Sequence, residues 1–406
     1  MENSQDILKL ASNAGRTLLE NGAEIYRVEE TMERIAGHYG EKDENFFVLS
    51  NGIFTTGKAY ANVEFIPIRG ARLDKVVGVN QLSRDISSRN MTLEEASDRL
   101  EEIRRKPQKP VWEQLAGTAL GCGGFCAIFG GGLADCAASM IAGVLMYCFI
   151  LFPGAKMSKI LANICGGFIG TALCILLQYL GFGSNLGNMV IGTIIPLIPG
   201  VPFTNGLRDI ANEDYIAGAT RLLDALMVFF CIALGVSLAF ITHSWIAGGM
   251  IQLHGTVTDS LTAIFPIQLL TAFIGTAAFA VLFGVPRNFY IASGLVGMAG
   301  WAVYLLCSRY TPLAVIGGTF LASTVVAFVS RICAVRLKCP STVFIICGIF
   351  PLIPGAGVFW STYYTVSSQL GPALGAGFMA VKATIAIVLG IIVAMNLPRS
   401  PFWYKR

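Results

Sequence analysis

The sequence predicts an α-helical polytopic membrane protein: ten transmembrane helices in two inverted five-helix repeats, preceded by a small N-terminal α+β cytosolic domain. Three observations carry this. Charge is segregated: only 13% of the 406 residues are charged and 54% are hydrophobic, where a soluble domain carries about 25% charged residues. Of 29 Lys and Arg, 16 precede Val111, as do 18 of 25 Asp and Glu. The rest of the chain divides into apolar runs of about 17 to 25 residues, enough to cross about 30 Å of hydrocarbon. Landmarks within those runs recur at spacings of 154 and 155 residues. The implied domains are 1–110, 111–258 for the first five spans and 259–406 for the second.

In the first domain, Ile7, Ala11, Ala14, Leu18, Ile25, Val28, Met32 and Ile35 follow the three-four spacing of one helix face. Gly37 and Gly40 end that helix. Glu24, Glu29, Glu30 and Glu33 read as part of its solvated face, with pairs three and four residues apart. Strand-like runs follow at Asn45–Ser50, Ile53–Thr56 and Val63–Ile68, with Asn51-Gly52 as a hairpin signal. Two helices follow, Arg72–Ser88 and Leu93–Arg105; Thr92 with Glu95 forms a capping-box pattern. Arg104–Pro110 (RRKPQKP) reads as a basic collar beside the membrane. The N-terminus lacks a basic stretch followed by an apolar core, so the domain is expected to stay in the cytosol.

Spans are expected near 114–133, 136–152, 158–180, 185–202, 218–242, 266–285, 289–307, 312–333, 341–358 and 373–397. With both termini cytoplasmic, the inner loops and the C-terminus hold eleven Lys and Arg and the outer loops hold only Arg309, the bias of the positive-inside rule. One miscounted span would invert every later loop.

PLIPG occurs at Pro196–Gly200 and again at Pro351–Gly355. FCAIFG (Phe125–Gly130) matches FAVLFG (Phe279–Gly284), and Gly143 matches Gly297. Five spans per half is odd, so the halves would enter the membrane from opposite sides, a common transporter architecture with substrate at the repeat interface. The prolines remove backbone donors and the glycine frees the chain. Freed backbone groups in lipid must be satisfied by protein, water or substrate, so two broken helices at equivalent points mark a binding site; kinks that serve only packing are the alternative.

Candidate substrate residues are therefore Pro199, Gly200, Thr204, Asn205, Arg208 and Asp209 at the first break, and Pro354, Gly355, Ser361, Thr362 and Tyr363 at the second. These polar groups suit a small zwitterion or hydroxylated solute; Arg208 with Asp209 also reads as a loop ion pair. Lys382 lies about nine residues inside the last span, where a bare ammonium costs about 3 kcal/mol. It is expected to face the bundle interior and meet a carboxylate. Asp224 reads as a partner for Arg221 or a proton site, and Asp135 as a loop residue or a functional charge. His243 and His254 read as loop residues. The eleven cysteines lie in apolar runs as packing residues, with no zinc spacing.

The chain resembles the threonine/serine exporter family in its single-chain form. The resemblance rests on GAEIYRVEETMERI (Gly22–Ile35), IPIRGARLDKVVGVNQLSRDI (Ile66–Ile86), FGGGLADCAASMIAG (Phe129–Gly143), LIPGVPFTNGLRDIANEDYIAGATRL (Leu197–Leu222) and the second PLIPG. It implies a cytosolic N-terminal domain, ten spans, and export of threonine or serine, or of succinate in two-chain members, driven by the proton motive force. Its motifs map onto Asp135, Pro199, Gly200, Asn205, Asp209 and Arg221. Hydrolase-like N-terminal domains occur in that family, but no nucleophile constellation stands in this one.

The function expected is secondary export of a small amino acid across the bacterial plasma membrane, without catalytic residues, metal or cofactor. The partners implied are lipid, an amino-acid or dicarboxylate substrate, protons and, in a homo-oligomer, a second copy; nucleic acid is not among them. The GxxxxGK[ST] pattern of an ATPase is absent. The rivals are a dicarboxylate exporter, a channel, and an intramembrane enzyme or sensor, the last without any Cys–His, Ser–His or HExxH arrangement.

Overall fold

The computed structural model describes residues 2–41, 44–57, 60–67, 70–249, 251, 253, 261–311 and 314–397. Its N-terminal region contains helices α1 (Glu2–Glu20) and α2 (Ile25–His38), strands β1 (Asn45–Leu49), β2 (Gly52–Gly57) and β3 (Tyr60–Phe65), and helices α3 (Leu73–Arg89) and α4 (Leu93–Arg105). The single helix expected over Ile7–Ile35 is two helices. The chain turns between Glu20 and Ile25, with Gly22 at φ +85°, where a side chain would be strained. Leu18 and Ile25, on either side of the turn, are both buried. They stand seven residues apart, so the helical period survives the break and hides it.

The sheet is antiparallel in the order β1-β2-β3. Leu49 pairs with Gly52, so the hairpin loop is Ser50-Asn51 and Gly52 opens β2. Val48 and Ile53 turn inward. Glu29 of α2 accepts from Val48 N at 3.0 Å and ties the sheet to the helix; burial raises its pKa. Thr92 caps α4 as expected, its Oγ1 accepting from Glu95 N at 3.3 Å while Glu95 accepts from Thr92 N at 3.0 Å. Ile68, the end of the third expected strand, lies outside the described residues.

Twelve further α-helices follow among the described residues. The first six are α5 (Val111–Ile128), α6 (Leu133–Leu151), α7 (Lys159–Tyr179), α8 (Leu186–Ile194), α9 (Gly200–Ala211) and α10 (Tyr215–Ala247). The second six are α11 (Phe265–Leu282), α12 (Tyr290–Tyr310), α13 (Ala314–Leu337), α14 (Thr342–Ile349), α15 (Gly355–Val366) and α16 (Leu370–Asn396). Eight helical stretches among the described residues are long and apolar enough to cross a membrane, or nine with one bent pair. The helix that ten spans would add is α5, whose Glu113, Gln114, Thr118 and four glycines lower its hydropathy.

The surfaces of these helices suit lipid rather than water. Leu226, Phe230, Leu234 and Leu238 of α10, and Leu374, Phe378, Val381, Ile385 and Leu389 of α16, form exposed apolar stripes at helical spacing. Continuous apolar stripes of this kind are rare on soluble monomers. Without a hydrophobic drive between helices in lipid, packing depends on small residues that let backbones approach. Here α7 packs on α10, α13 on α16, and α5 on both α6 and α11.

Those contacts recur along the chain. A Cβ built on Gly143 would meet Cys122, and one on Gly297 would meet Thr276. One on Gly121 would meet the Phe279 ring, and one on Gly275 the Phe125 ring. Each of these residues and its counterpart stand 154 positions apart. The chain therefore repeats not only letters but the contacts those letters make.

Candidate functional site

Both PLIPG segments break helices, as their prolines require. Each passes through a short 3-10 turn, Ile195–Leu197 and Phe350–Leu352, before α9 and α15 begin at Gly200 and Gly355. The expected spans 185–202 and 341–358 stopped short, because the chain resumes a helix after each break. The first pair, α8 with α9, bends by 67°, while Thr342–Val366 runs as one 25-residue stretch. The two breaks touch: a Cβ on Gly200 would lie 2.4 Å from the Phe350 ring, and one on Gly355 would lie 2.7 Å from Ile198.

Beyond the first break, α9 carries Asn205, Arg208 and Asp209, all buried. The α1–α2 turn docks on them. Asn205 Nδ2 donates to Gly22 O at 2.6 Å, and Asp209 Oδ1 accepts from Ile25 N at 3.3 Å. Arg221 of α10 donates to Asp209 Oδ2 at 2.7 Å and to Ala23 O at 2.9 Å. Arg208 pairs with Glu24 and donates to Thr342 Oγ1 at 2.7 Å; that hydroxyl donates to Glu24 Oε1 at 2.7 Å. Four consecutive residues, Gly22 to Ile25, thus close over the end of α9. Glu24, expected on a solvated face, is 2% exposed and is the centre of this closure. The i,i+4 pair expected on the same helix does form between Arg34 and Glu30.

The second break has its own closure. Tyr363 of α15 is buried; its hydroxyl donates to Ile251 O at 2.9 Å and accepts from Leu253 N at 2.8 Å. Arg208 and Tyr363 stand 155 positions apart, as the two PLIPG segments do. At each position, chain from outside the broken helix seals it. Ser361 donates to Ala373 O and Thr362 to Val358 O, both within the helical framework.

The remaining expected residues lie elsewhere. Asp224 pairs with Lys159 at 2.6 Å rather than with Arg221, whose carboxylate is Asp209. Asp135 is buried, and its oxygens accept from the backbone nitrogens of Gly132, Ser184 and Asn185 at 2.6–3.0 Å, tying the loop before α8 to α6. Lys382 does not face the bundle interior. It sits half-buried, 4.5 Å over the ring of Phe378, which is 62% exposed, and it meets no carboxylate among the described residues. A long cationic stem can run along an apolar helix face with its charge at the border. Lys382→Met is therefore expected to leave transport within about twofold of wild type, since removing an outward charge leaves the site's electrostatics unchanged; a loss beyond tenfold in proteoliposomes would return Lys382 to the site. His243 lies in α10 rather than in a loop, stacked on Tyr179; His254 lies outside the described residues. Thr204 Oγ1 and Asn205 Oδ1 are buried without hydrogen-bond partners.

Two cavities flank the closure. One of about 720 Å³ lies beside Pro199 and Asn205, with Lys159, Asn163, Arg221 and Asp224 in its wall. The other, of about 530 Å³, lies against Glu24 and Arg208. Toward that second side burial lowers the Arg27 pKa. The linker is anchored as well: Lys109 donates to Val285 O at 2.6 Å, and burial pushes its pKa down to about 8.

Apolar helices with exposed apolar stripes, two broken helices in mutual contact, and buried polar groups closing them define a multi-pass membrane protein of the transporter class. The family model described as "Putative threonine/serine exporter" matches residues 9–242, and that of "Threonine/Serine exporter, ThrE" matches 268–397. The chain belongs to the threonine/serine exporter family. It is 24% identical to the "Threonine/serine exporter" of Corynebacterium glutamicum, over 97% of this chain and 84% of that one. It is also 24% identical to the "Probable threonine/serine exporter" of Mycobacterium tuberculosis, over 97% of this chain and 77% of the relative. A shorter relative, the "Probable succinate transporter subunit YjjP" of Klebsiella aerogenes, is 22% identical over 57% of this chain and 92% of its own length. No solved structure matches the chain.

Sequence reasoning named Asn205, Arg208, Asp209 and Arg221, which the structure brings together. It missed Glu24 and Thr342. The available signal was Glu24's place beside Gly22, at a break the helical period concealed.

Proposed function

We propose that this protein is a proton-coupled secondary exporter of small amino acids of the threonine/serine class, in the bacterial plasma membrane with both termini cytoplasmic. The observation that carries the reading is the contact between the two broken helices at Gly200 and Gly355. Broken helices at the interface of repeats are where transporters place substrate.

In this reading ten helices form two inverted repeats, 111–258 and 259–406, behind the domain 1–110, with α5 as the tenth span. The contacts recurring at 154 positions support it. So does the difference between the bent α8–α9 pair and the straighter Thr342–Val366: two copies of one unit in different shapes is what alternating access requires. Closed at Arg208 and closed at Tyr363, the protein is occluded, and transport opens one closure at a time.

The 720 Å³ cavity is the cytosolic vestibule. Its wall carries both signs of charge in existing pairs, Lys159 with Asp224 and Arg221 with Asp209, and a zwitterion enters by exchanging into them, its carboxylate to the cations and its ammonium to Asp224. The unpartnered Asn205 Oδ1 accepts from the substrate's hydroxyl or ammonium. Asp209, between Arg221 and the backbone of Ile25, is the proton-coupling group.

The test is efflux of labelled threonine, serine and succinate from loaded proteoliposomes, with and without an imposed pH gradient. Saturable, gradient-dependent threonine efflux supports the reading. Succinate movement without threonine movement replaces the substrate and favours the dicarboxylate exporter, as the succinate-named relative would suggest. Passive currents indifferent to the gradient would make it a channel.

A further inference from the structure

The cavity of about 530 Å³ on the other side of the closure has a different chemistry. It lies between α2 and α3 of the N-terminal region and the ends of α9, α13, α14 and α16. Five arginines line it, Arg27, Arg34, Arg84, Arg208 and Arg331, against two carboxylates, Glu24 and Glu30. The carboxylates are committed: Glu24 pairs with Arg27 and Arg208, and Glu30 with Arg34. Arg331 donates to the backbone carbonyls of Ala394 and Leu397. Arg84 makes no ion pair among the described residues. The wall is therefore cationic after its internal pairs are counted.

A second observation points the same way. Asn80 of α3 is 4% exposed, lines this cavity, and its Nδ2 has no hydrogen-bond partner. A buried donor left unpaired costs about 1–3 kcal/mol, which a ligand acceptor would recover. Ser341, at the start of α14, also lines the cavity, and the positive end of a helix dipole favours an anion. Planar guanidinium groups with a neutral amide donor suit the tetrahedral oxygens of a phosphate.

We infer that this cavity is a binding site for a phosphate-class anion, separate from the 720 Å³ cavity, between the N-terminal region and the helix ends. The phosphate could be a free anion or the headgroup of an anionic lipid.

The full chain purified in detergent is titrated with inorganic phosphate by isothermal calorimetry, beside the Arg84→Gln and Asn80→Asp variants. Both substitutions lie outside the closure's hydrogen bonds, and melting of each variant without ligand checks its fold. Separately, native mass spectrometry of protein from nanodiscs of three parts phosphatidylcholine to one part phosphatidylglycerol counts retained anionic lipid. A free-anion site predicts saturable phosphate binding, weakened at least tenfold in both variants. A headgroup site predicts no phosphate heat but one retained phosphatidylglycerol, lost in both variants. Equal binding by wild type and both variants, or no binding of either probe to a folded wild type, would overturn the inference.

Discussion

Arg221→Met is expected to produce a large loss of folded protein. The guanidinium is 5% exposed and its partner Asp209 is fully buried. It also holds Ala23 O at 2.9 Å, across the boundary between the N-terminal region and α10. Removing one member of a buried pair costs about 3–5 kcal/mol, because the other charge stays buried without compensation. The expected result is a lower melting midpoint in detergent and faster proteolysis within α1 and α2, whose turn loses an anchor. Arg221→Met with Asp209→Asn should recover much of the stability without recovering transport. A double variant no more stable than the single one would show that the pair does not hold the turn.

Gly235→Leu should be as damaging for a different reason. A Cβ at Gly235 would lie 2.1 Å from Ile164 O and 2.8 Å from Phe168 N, both backbone atoms of α7. Backbone cannot swing aside as a side chain does, so α7 and α10 must separate. Overpacking costs about 1–3 kcal/mol where side chains can adjust, and more is expected here. Gly390 stands 155 positions later, and its Cβ would meet Phe320 O at 2.6 Å in the α13–α16 contact. Gly390→Leu is expected to fail similarly. Gly375→Ala is the control: nothing lies within 4 Å of its Cβ position. There alanine should be neutral or stabilise α16 by up to about 1 kcal/mol. Monodisperse Gly235→Leu protein eluting with wild type on size exclusion would refute the close contact.

The closure over α9 and the one over α15 differ in material. The first uses ion pairs and a segment from the N-terminal region; the second uses a tyrosine hydroxyl and the backbone at Ile251 and Leu253. An anion in the cavity beside Glu24 would lie next to Arg208, and so next to the first closure alone.

Sequence by itself determined the class of the protein, the position of nearly every apolar helix and the location of both breaks. These follow from local rules: a run of apolar side chains must leave water, and proline cannot donate within a helix. The recurrence at 154 and 155 positions was equally legible, because each letter of a repeat is fixed by the contact it makes. The tertiary structure alone decided which charge meets which. Glu24 and Glu30 stand on or beside one helix with similar neighbours in sequence, yet Glu24 reaches Thr342, 318 residues away, and Glu30 reaches Arg34, four away. Lys382 looked buried by depth along the span, but depth does not specify the azimuth, and α16 turns it toward the exposed Phe378. Asp224 looked paired with Arg221 by proximity in sequence, but three residues' separation on one helix still left Lys159 of α7 the better placed partner. Periodicity sets which way a side chain points relative to its own helix; only the packing of helices sets what it finds there.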